Sequence, residues 1–249
     1  MQDYQAPKGL LEDRIILVTG AGDGIGRAAA KTFAQYGATI VLLGRTVSKL
    51  ETVYDEIEQS GGKQPAIYPV NLEGAVMQDY ENMASAIENE FGRLDGLLHN
   101  AALLGTLTPL EMYDPNTWNQ LLKVNLTAPF MISQALIPLM RKAEDPSIIF
   151  TSSGVGRKSR AYWGAYAVSK FGVEGLMQTM ADELDDAPDM IRVNSIDPGA
   201  TRTKMRETAY PGENAEKNPK PEDIMNIYLY LMGKDSTGIT GQAFNAQKK

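Results

Sequence analysis

Short runs of apolar residues recur along the chain, each stopped by glycine or a polar turn and followed by a stretch with helical spacing. The first is Arg14-Ile15-Ile16-Leu17-Val18-Thr19, after which Ile25, Ala29 and Phe33 fall on one helix face. Thr39 to Leu43 leads into a helix reaching Ser60, Ala66 to Val70 into one reaching Phe91, and Gly96 to His99 into a long helix. Ser147 to Thr151 and Ile191 to Ile196 flank a further helix that carries Tyr166 and Lys170, and Ala243 to Asn245 reads as a last short strand. Wholly apolar strands alternating with helices predict an α/β fold. The sheet is expected to be parallel and doubly wound, Rossmann-type, with about seven strands and helices on both faces. No repeat, linker or low-complexity tract divides residues 1–249, so a single domain is expected, with residues 1–10 as a polar N-terminal tail.

Residues 203–221 break the pattern. They are polar, contain Pro211, Gly212, Pro219 and Pro221, and follow the carboxyl end of a strand, the edge at which such sheets bind ligands. The segment is expected to be a substrate loop, although its composition suits a plain surface loop equally well.

Composition narrows the function classes. The chain has 249 residues, 43% of them hydrophobic, which suffices for a substantial core. No apolar run approaches the roughly 18 residues that span a bilayer, and Met1 to Gln5 shows no basic-then-apolar leader. A soluble, cytoplasmic protein with no membrane partner is therefore expected. The absence of cysteine excludes disulfides, thiol catalysis and thiolate metal sites. A formal charge of -7 disfavours nucleic acid as a partner. His99 is the single histidine, which removes a Ser-His hydrolase triad and any multi-histidine metal site, so no metal is expected. At the end of a buried strand, His99 reads as a packed residue.

Two local patterns carry candidate chemistry. Tyr166 and Lys170 stand at i,i+4, which puts a phenol and an ammonium on one helix face. A phenol ionises near pH 10, so acid–base work at neutral pH asks for a shift of roughly three units, about 4 kcal/mol, and a neighbouring cation acts in that direction. The second pattern is Thr19-Gly20-Ala21-Gly22-Asp23-Gly24-Ile25-Gly26, between the first strand and the first helix. Small residues there let the backbone approach a pyrophosphate at the helix N-terminus. Its glycine spacing departs from G-x-G-x-x-G. After the second strand, where an acidic residue would bond a ribose hydroxyl, the chain has Gly44-Arg45. Arg45 reads either as a bidentate partner for a 2′-phosphate, implying NADP(H) in preference to NAD(H), or as a solvated surface cation.

Taken together, the glycine loop, His99-Asn100-Ala101-Ala102, Val124-Asn125-Leu126, Ser152-Ser153, Tyr166 to Lys170 and Pro198-Gly199 resemble the short-chain dehydrogenase/reductase family. The likeness is to its shorter, single-domain branch, and most closely to the bacterial YciK-type oxidoreductases, over essentially the whole chain. The resemblance implies that Tyr166 exchanges a proton with a carbonyl or alcohol oxygen. Ser153, thirteen residues earlier, would hold that oxygen, with Ser152 as the neighbouring alternative. It implies that Lys170 binds the nicotinamide ribose and that Asn125 helps hold a water linking Lys170 to solvent. It also implies cofactor contacts from Gly20, Gly22, Asp23, Gly24, Ile25, Arg45, Asn71, Leu72, Asn100, Ala101, Tyr166, Lys170, Pro198, Gly199, Thr201 and Thr203, and that Ile196 reaches the nicotinamide amide. Two departures stand out. Ala102 takes a place commonly held by glycine, and Asp23 takes one often basic in NADP enzymes, which leaves Arg45 as the main phosphate partner with Thr46 and Ser48 as hydroxyl donors.

The activity expected from the resemblance is reversible hydride transfer between NADP(H) and a small-molecule carbonyl or alcohol. A cofactor-binding regulatory or scaffold protein of the same fold is the alternative, with an epimerase or dehydratase a third. Arg157, Lys158, Arg160, Arg202, Lys204 and Arg206 are expected near the mouth of the site, either selecting an anionic substrate or lying solvated, and Tyr162 and Trp163 either wall the pocket or pack the loop. The helices around Asn119 to Met140 and Tyr166 to Leu184 resemble those with which family members form homodimers or homotetramers.

Overall fold

The computed structural model describes residues 4–186 and 190–248. Its strands are β1 (Ile15–Thr19), β2 (Thr39–Gly44), β3 (Ala66–Pro69), β4 (Gly96–His99), β5 (Ser147–Thr151), β6 (Arg192–Asp197) and β7 (Ala243–Asn245). All pair in parallel, in the order β3-β2-β1-β4-β5-β6-β7. β1, β4, β5 and β6 are buried along almost their whole length, which is why they read as unbroken apolar runs.

The helices are α1 (Gly24–Gln35), α2 (Val47–Gln59), α3 (Met77–Phe91), α4 (Pro115–Leu122), α5 (Ala128–Met140), α6 (Gly164–Glu183), α7 (Lys204–Ala209) and α8 (Met225–Met232). One core joins α1, α2 and α8 to one face of the sheet through Phe33, Leu50, Val53, Tyr228 and Met232. A second joins α3, α5 and α6 to the other face through Tyr80, Met83, Ile132, Leu136 and Met177. The face that α1 turns inward is built from Gly26, Ala28, Ala29 and Ala30 around Phe33, so the helix lies close to β1 and its N-terminus is aimed at the strand ends.

Three expectations need adjusting. The N-terminal segment is not a detached tail from Tyr4 onward: Tyr4 packs edge-on against Tyr230 and its hydroxyl donates to Asp235 at 2.8 Å, and Leu10 and Leu11 are buried. Residues 1–3 lie outside the described residues. The long helix after β4 is instead a loop, then α4, then a π-turn over Lys123–Thr127, then α5. Residues 203–221 hold the short α7 and a 3-10 turn at Ala215–Lys217, tied down by Arg202, which donates to the carbonyls of Ala215, Glu216 and Asn218 at 3.0 to 3.2 Å. Among the described residues no helix is long and apolar enough to cross a membrane.

Candidate active site

β1 and β4 are neighbours, but the chain leaves β1 for α1 and β2 on one side and leaves β4 toward β5 on the other. A crevice therefore opens beyond their carboxyl ends. Its floor is held by one hydroxyl. Thr19 Oγ1 accepts from the amides of Asn100 (2.9 Å) and Ala101 (3.1 Å) and donates to Leu98 O (3.3 Å). Gly20 adopts φ +68°, and a Cβ there would stand 2.9 Å from Ala101 Cα. At Gly26 a Cβ would fall 2.3 Å from Gly20 O. Neither position admits another residue without displacing backbone.

The cleft has a volume of about 470 Å³. With the exception of Ile196, the residues expected to touch cofactor line it: Gly20, Gly22, Asp23, Gly24 and Ile25, then Arg45, Asn71, Leu72, Asn100 and Ala101, then Pro198, Gly199, Thr201 and Thr203, together with Ser153, Tyr166 and Lys170. Asn71 also caps its own turn, its Oδ1 accepting from Glu73 N at 3.3 Å, and Leu72 belongs equally to the core. Thr46 lines the cleft and Ser48 does not. Ile196 does not reach it: the side chain is fully buried in the core and its carbonyl accepts from Ser152 N at 2.7 Å.

At one end of the cleft, β5 runs into Ser152 and Ser153 while α6 passes alongside. The close approach is permitted by Gly156, where a Cβ would lie 2.7 Å from Lys170 Cβ. Lys170 Nζ donates to Thr151 O at 2.7 Å and stands 5.7 Å from the centre of the Tyr166 ring. Ser153 lines the cleft beside Tyr166 and acts to lower the pKa of its phenol. Both Tyr166 and Lys170 are buried, and burial governs their ionisation. Tyr166 is pushed up to about 12, chiefly by desolvation, with Ser153 acting in the opposite direction and the Asp197 charge adding to the rise. Lys170 is brought down to about 8 by desolvation, against a smaller pull from Glu174. The expected depression of the Tyr166 pKa is thus not met in the protein alone, because removing the phenol from water outweighs what surrounds it.

Asn125 lies in the π-turn, 1% exposed, and its side chain does not open on the cleft. Its Oδ1 accepts from Leu103 N (2.7 Å), while its Nδ2 donates to Leu103 O (2.9 Å) and Ser169 Oγ (3.1 Å). Ser169 Oγ in turn donates to Tyr166 O (2.7 Å). The side chain is occupied in tying the loop after β4 to α6, so only its main chain is left for a water path.

At the opposite end, Arg45 is exposed and makes no ion pair or side-chain hydrogen bond with the described residues. Asp23 is exposed but its charge is paired: its carboxylate accepts from Gly24 N at 2.9 Å and meets Lys49 at 2.6 Å and Lys204 at 3.7 Å. The Lys49 contact, first among its causes, holds the carboxyl below its usual range. Lys49 and Lys204 both line the cleft: Lys204 was expected near its mouth, whereas Lys49 was not marked, and neither pairing is local, the lysines being 26 and 181 residues from Asp23. Asp23 occupies the Gly24 amide, leaving those of Ile25 and Gly26 at the first turn of α1, where helix N-termini attract anions. A glycine cradle without room for side chains, open helix amides and an unpaired arginine suit a dinucleotide with a phosphorylated ribose.

The remaining expectations sort by geometry. Arg157 is structural: it pairs with buried Glu174 at 3.2 Å and donates to Phe244 O and Asn245 Oδ1, both at 2.8 Å. Arg206 forms a bidentate pair with Glu213 (2.7 and 2.6 Å) and lies over the Tyr210 ring at 3.7 Å. Trp163 lines the cleft, whereas Tyr162 is 60% exposed and does not. His99 is a core residue, stacked on Phe150 at 4.7 Å and bonded to Ser133 Oγ at 2.8 Å, with burial lowering its pKa to about 3. Among the described residues no group of three histidine, aspartate or glutamate side chains is placed to hold a metal ion.

Comparison with known proteins places the chain among solved and curated relatives. The uncharacterized oxidoreductase YciK of Escherichia coli K12 is 50% identical over 244 residues, covering 98% of this chain and 96% of its own. A solved protein of Pseudomonas syringae is 58% identical and superposes with a TM-score of 0.96, over 98% of this chain and 99% of the other. One from Escherichia coli CFT073, solved in complex with NADPH, is 50% identical with a TM-score of 0.93, over 97% of this chain and all of the other. Residues 14–214 match the short chain dehydrogenase family. The chain belongs to that family of oxidoreductases.

Proposed function

We propose that this protein catalyses the reversible reduction of a carbonyl to an alcohol with NADP(H). The observation that carries the reading is the meeting of Ser153, Tyr166 and Lys170 at one end of the cleft that the glycine loop opens. The dinucleotide supplies the hydride when bound. Ile25 and Gly26 amides would hold its pyrophosphate, Lys170 its ribose and Arg45 its 2′-phosphate. Ser153 donates to the substrate oxygen and keeps it beside the phenol, where charge develops as the carbonyl is reduced. Tyr166, protonated at neutral pH, gives its proton to that oxygen. Lys170, cationic below about pH 8, favours the phenolate left behind. The main chain of the π-turn at Asn125 is suited to seating the water that returns the proton.

Preference for NADP(H) is supported by the unpaired Arg45 and by the neutralisation of Asp23, whose charge is shared between Lys49 and Lys204 instead of facing a phosphate alone. A homo-oligomer is supported by apolar side chains left in water. Phe130 on α5 and Val168 and Phe171 on α6 are each about half exposed, at 46%, 45% and 45%.

Four outcomes are expected. Tyr166→Phe, which keeps the ring and removes the proton, should lower turnover of a carbonyl panel by about 10²- to 10⁴-fold. NADPH affinity by calorimetry should be unchanged, and a variant as active as the parent would refute the proton-transfer role. Arg45→Asp should weaken NADPH about 10- to 100-fold, the worth of a charge-assisted pair, and leave NADH within about threefold; equal losses for both would assign Arg45 elsewhere.

The pH dependence follows from Lys170. Its pKa in the free protein is lowered to about 8, so the ammonium is present below that pH and lost above it. kcat/KM for NADPH should fall above about pH 8, and Lys170→Arg should remove that limb. A profile flat to pH 10 would contradict the assignment. Finally, Phe171→Glu should shift the protein toward monomer in sedimentation at micromolar concentration, whereas a parent that is already monomeric would dismiss the oligomer.

A further inference from the structure

We propose that the substrate is a neutral carbonyl compound with an apolar body, and that carbonyls bearing a carboxylate or phosphate are rejected. The inference rests on the carbonyl-reducing role of Tyr166 and adds to it the class of molecule that fills the rest of the pocket.

The wall beside the Tyr166 phenol is assembled from three parts of the chain. Leu103 and Leu104 come from the loop after β4, Trp163 from the start of α6, and Met205 from α7. All four pack into one apolar cluster with Tyr166, and only Leu103 also touches a core that flanks the sheet. Each is only partly buried, so each still offers surface to a ligand. The Trp163 ring is 5.6 Å from that of Tyr166 and 6.0 Å from that of Tyr210, which carries the aromatic surface from the reacting phenol to the end of α7.

An anion needs a cation that is not already engaged, and none faces this end of the cleft among the described residues. Of the cations that line the cleft, Arg45 and Lys49 belong to the far end, beside Asp23 and β2, and Lys170 is bonded to Thr151 O. Arg206 is neutralised by Glu213, which takes its Nε–Nη2 edge, and its face lies against Tyr210. Lys204 is 80% exposed and directed to Asp23. Lys158 and Arg160 lie on the surface and do not line the cleft, and Arg157 and Arg202 are tied to carbonyls of their own chain. The charge that acts on the phenol from the β6 end is negative, that of Asp197. A carboxylate placed among Leu104, Trp163 and Met205 would shed its water with nothing to replace it.

The test uses the full-length protein with NADPH and two matched pairs of ketones, acetophenone with 4-carboxyacetophenone and cyclohexanone with 4-oxocyclohexanecarboxylate. Each neutral member should exceed its carboxylate partner in kcat/KM by at least about tenfold. The ratio should hold from low to high salt, since desolvation and not long-range charge sets it. Met205→Lys should narrow the ratio by giving the wall a cation, and Ala209→Lys serves the same purpose if the first variant does not fold. Calorimetric titration of the NADP⁺-loaded protein, which cannot reduce a ketone, provides the second readout. Neutral ketones that bind without being turned over, while the carboxylates do not bind, would uphold the pocket assignment and refute the reductase reading. Carboxylates reduced as well as their neutral partners would overturn the pocket assignment and leave the reductase reading intact. Failure of either neutral ketone both to bind and to react would also overturn it.

Discussion

A single hydroxyl, that of Thr19, closes the floor on which the site is built. β1 and β4 must end side by side and then let the chain part, and their ends have nothing to hydrogen-bond to once the ladder stops. By accepting from two successive amides and donating to Leu98 O, Thr19 satisfies both strands at that point, buried and out of reach of competing water. The missing side chains of Gly20 and Gly26 do the rest, since the β1–α1 turn can settle onto Asn100 and Ala101 only if nothing projects between them. The placing of the helix N-terminus and the opening of the crevice follow from that contact.

The Tyr166 end of the cleft depends on a different tie. Asn125 uses both ends of its amide on the main chain of Leu103 and spends its remaining donor on Ser169, which is fixed to the carbonyl of Tyr166. The loop after β4, the π-turn and α6 are thereby referred to one another, and the Tyr166 phenol is aimed by hydrogen bonds made behind the cleft. Burial then sets its chemistry. Tyr166 and Lys170 leave water together, and desolvation acts on each in the direction that favours its neutral form.

What the sequence made legible was local. Apolar runs located each strand to within a residue or two, and Tyr166 with Lys170, the glycine loop and Arg45 could be read because each lies in a few consecutive residues. What depends on distant parts meeting was not legible. The pairing of Asp23 with Lys49 and Lys204 reverses the apparent conflict between an acidic loop residue and a phosphorylated cofactor, yet nothing near Asp23 announces it. The i,i+4 spacing of Tyr166 and Lys170 predicted their proximity but carried no measure of how dry the site is. Ile196 was misplaced because its strand delivers that side chain into the core. The π-turn is invisible in the periodicity because apolar residues continue through it, and Arg157 and Arg206 read as surface cations because their partners lie in other elements or across a turn.

The three carbonyls gathered by Arg202 bear on how tightly a small ligand can be held. A polar segment rich in proline and glycine would normally be a coil, and ordering it around a ligand would subtract from the binding free energy, about 1 to 2 kcal/mol for each residue whose backbone is fixed. Here Arg202 binds the segment's second half and Arg206 with Glu213 its first, so the ordering is completed during folding. A ligand that enters beside Met205 meets a finished surface, and its affinity is set by what it touches and not by what it must assemble.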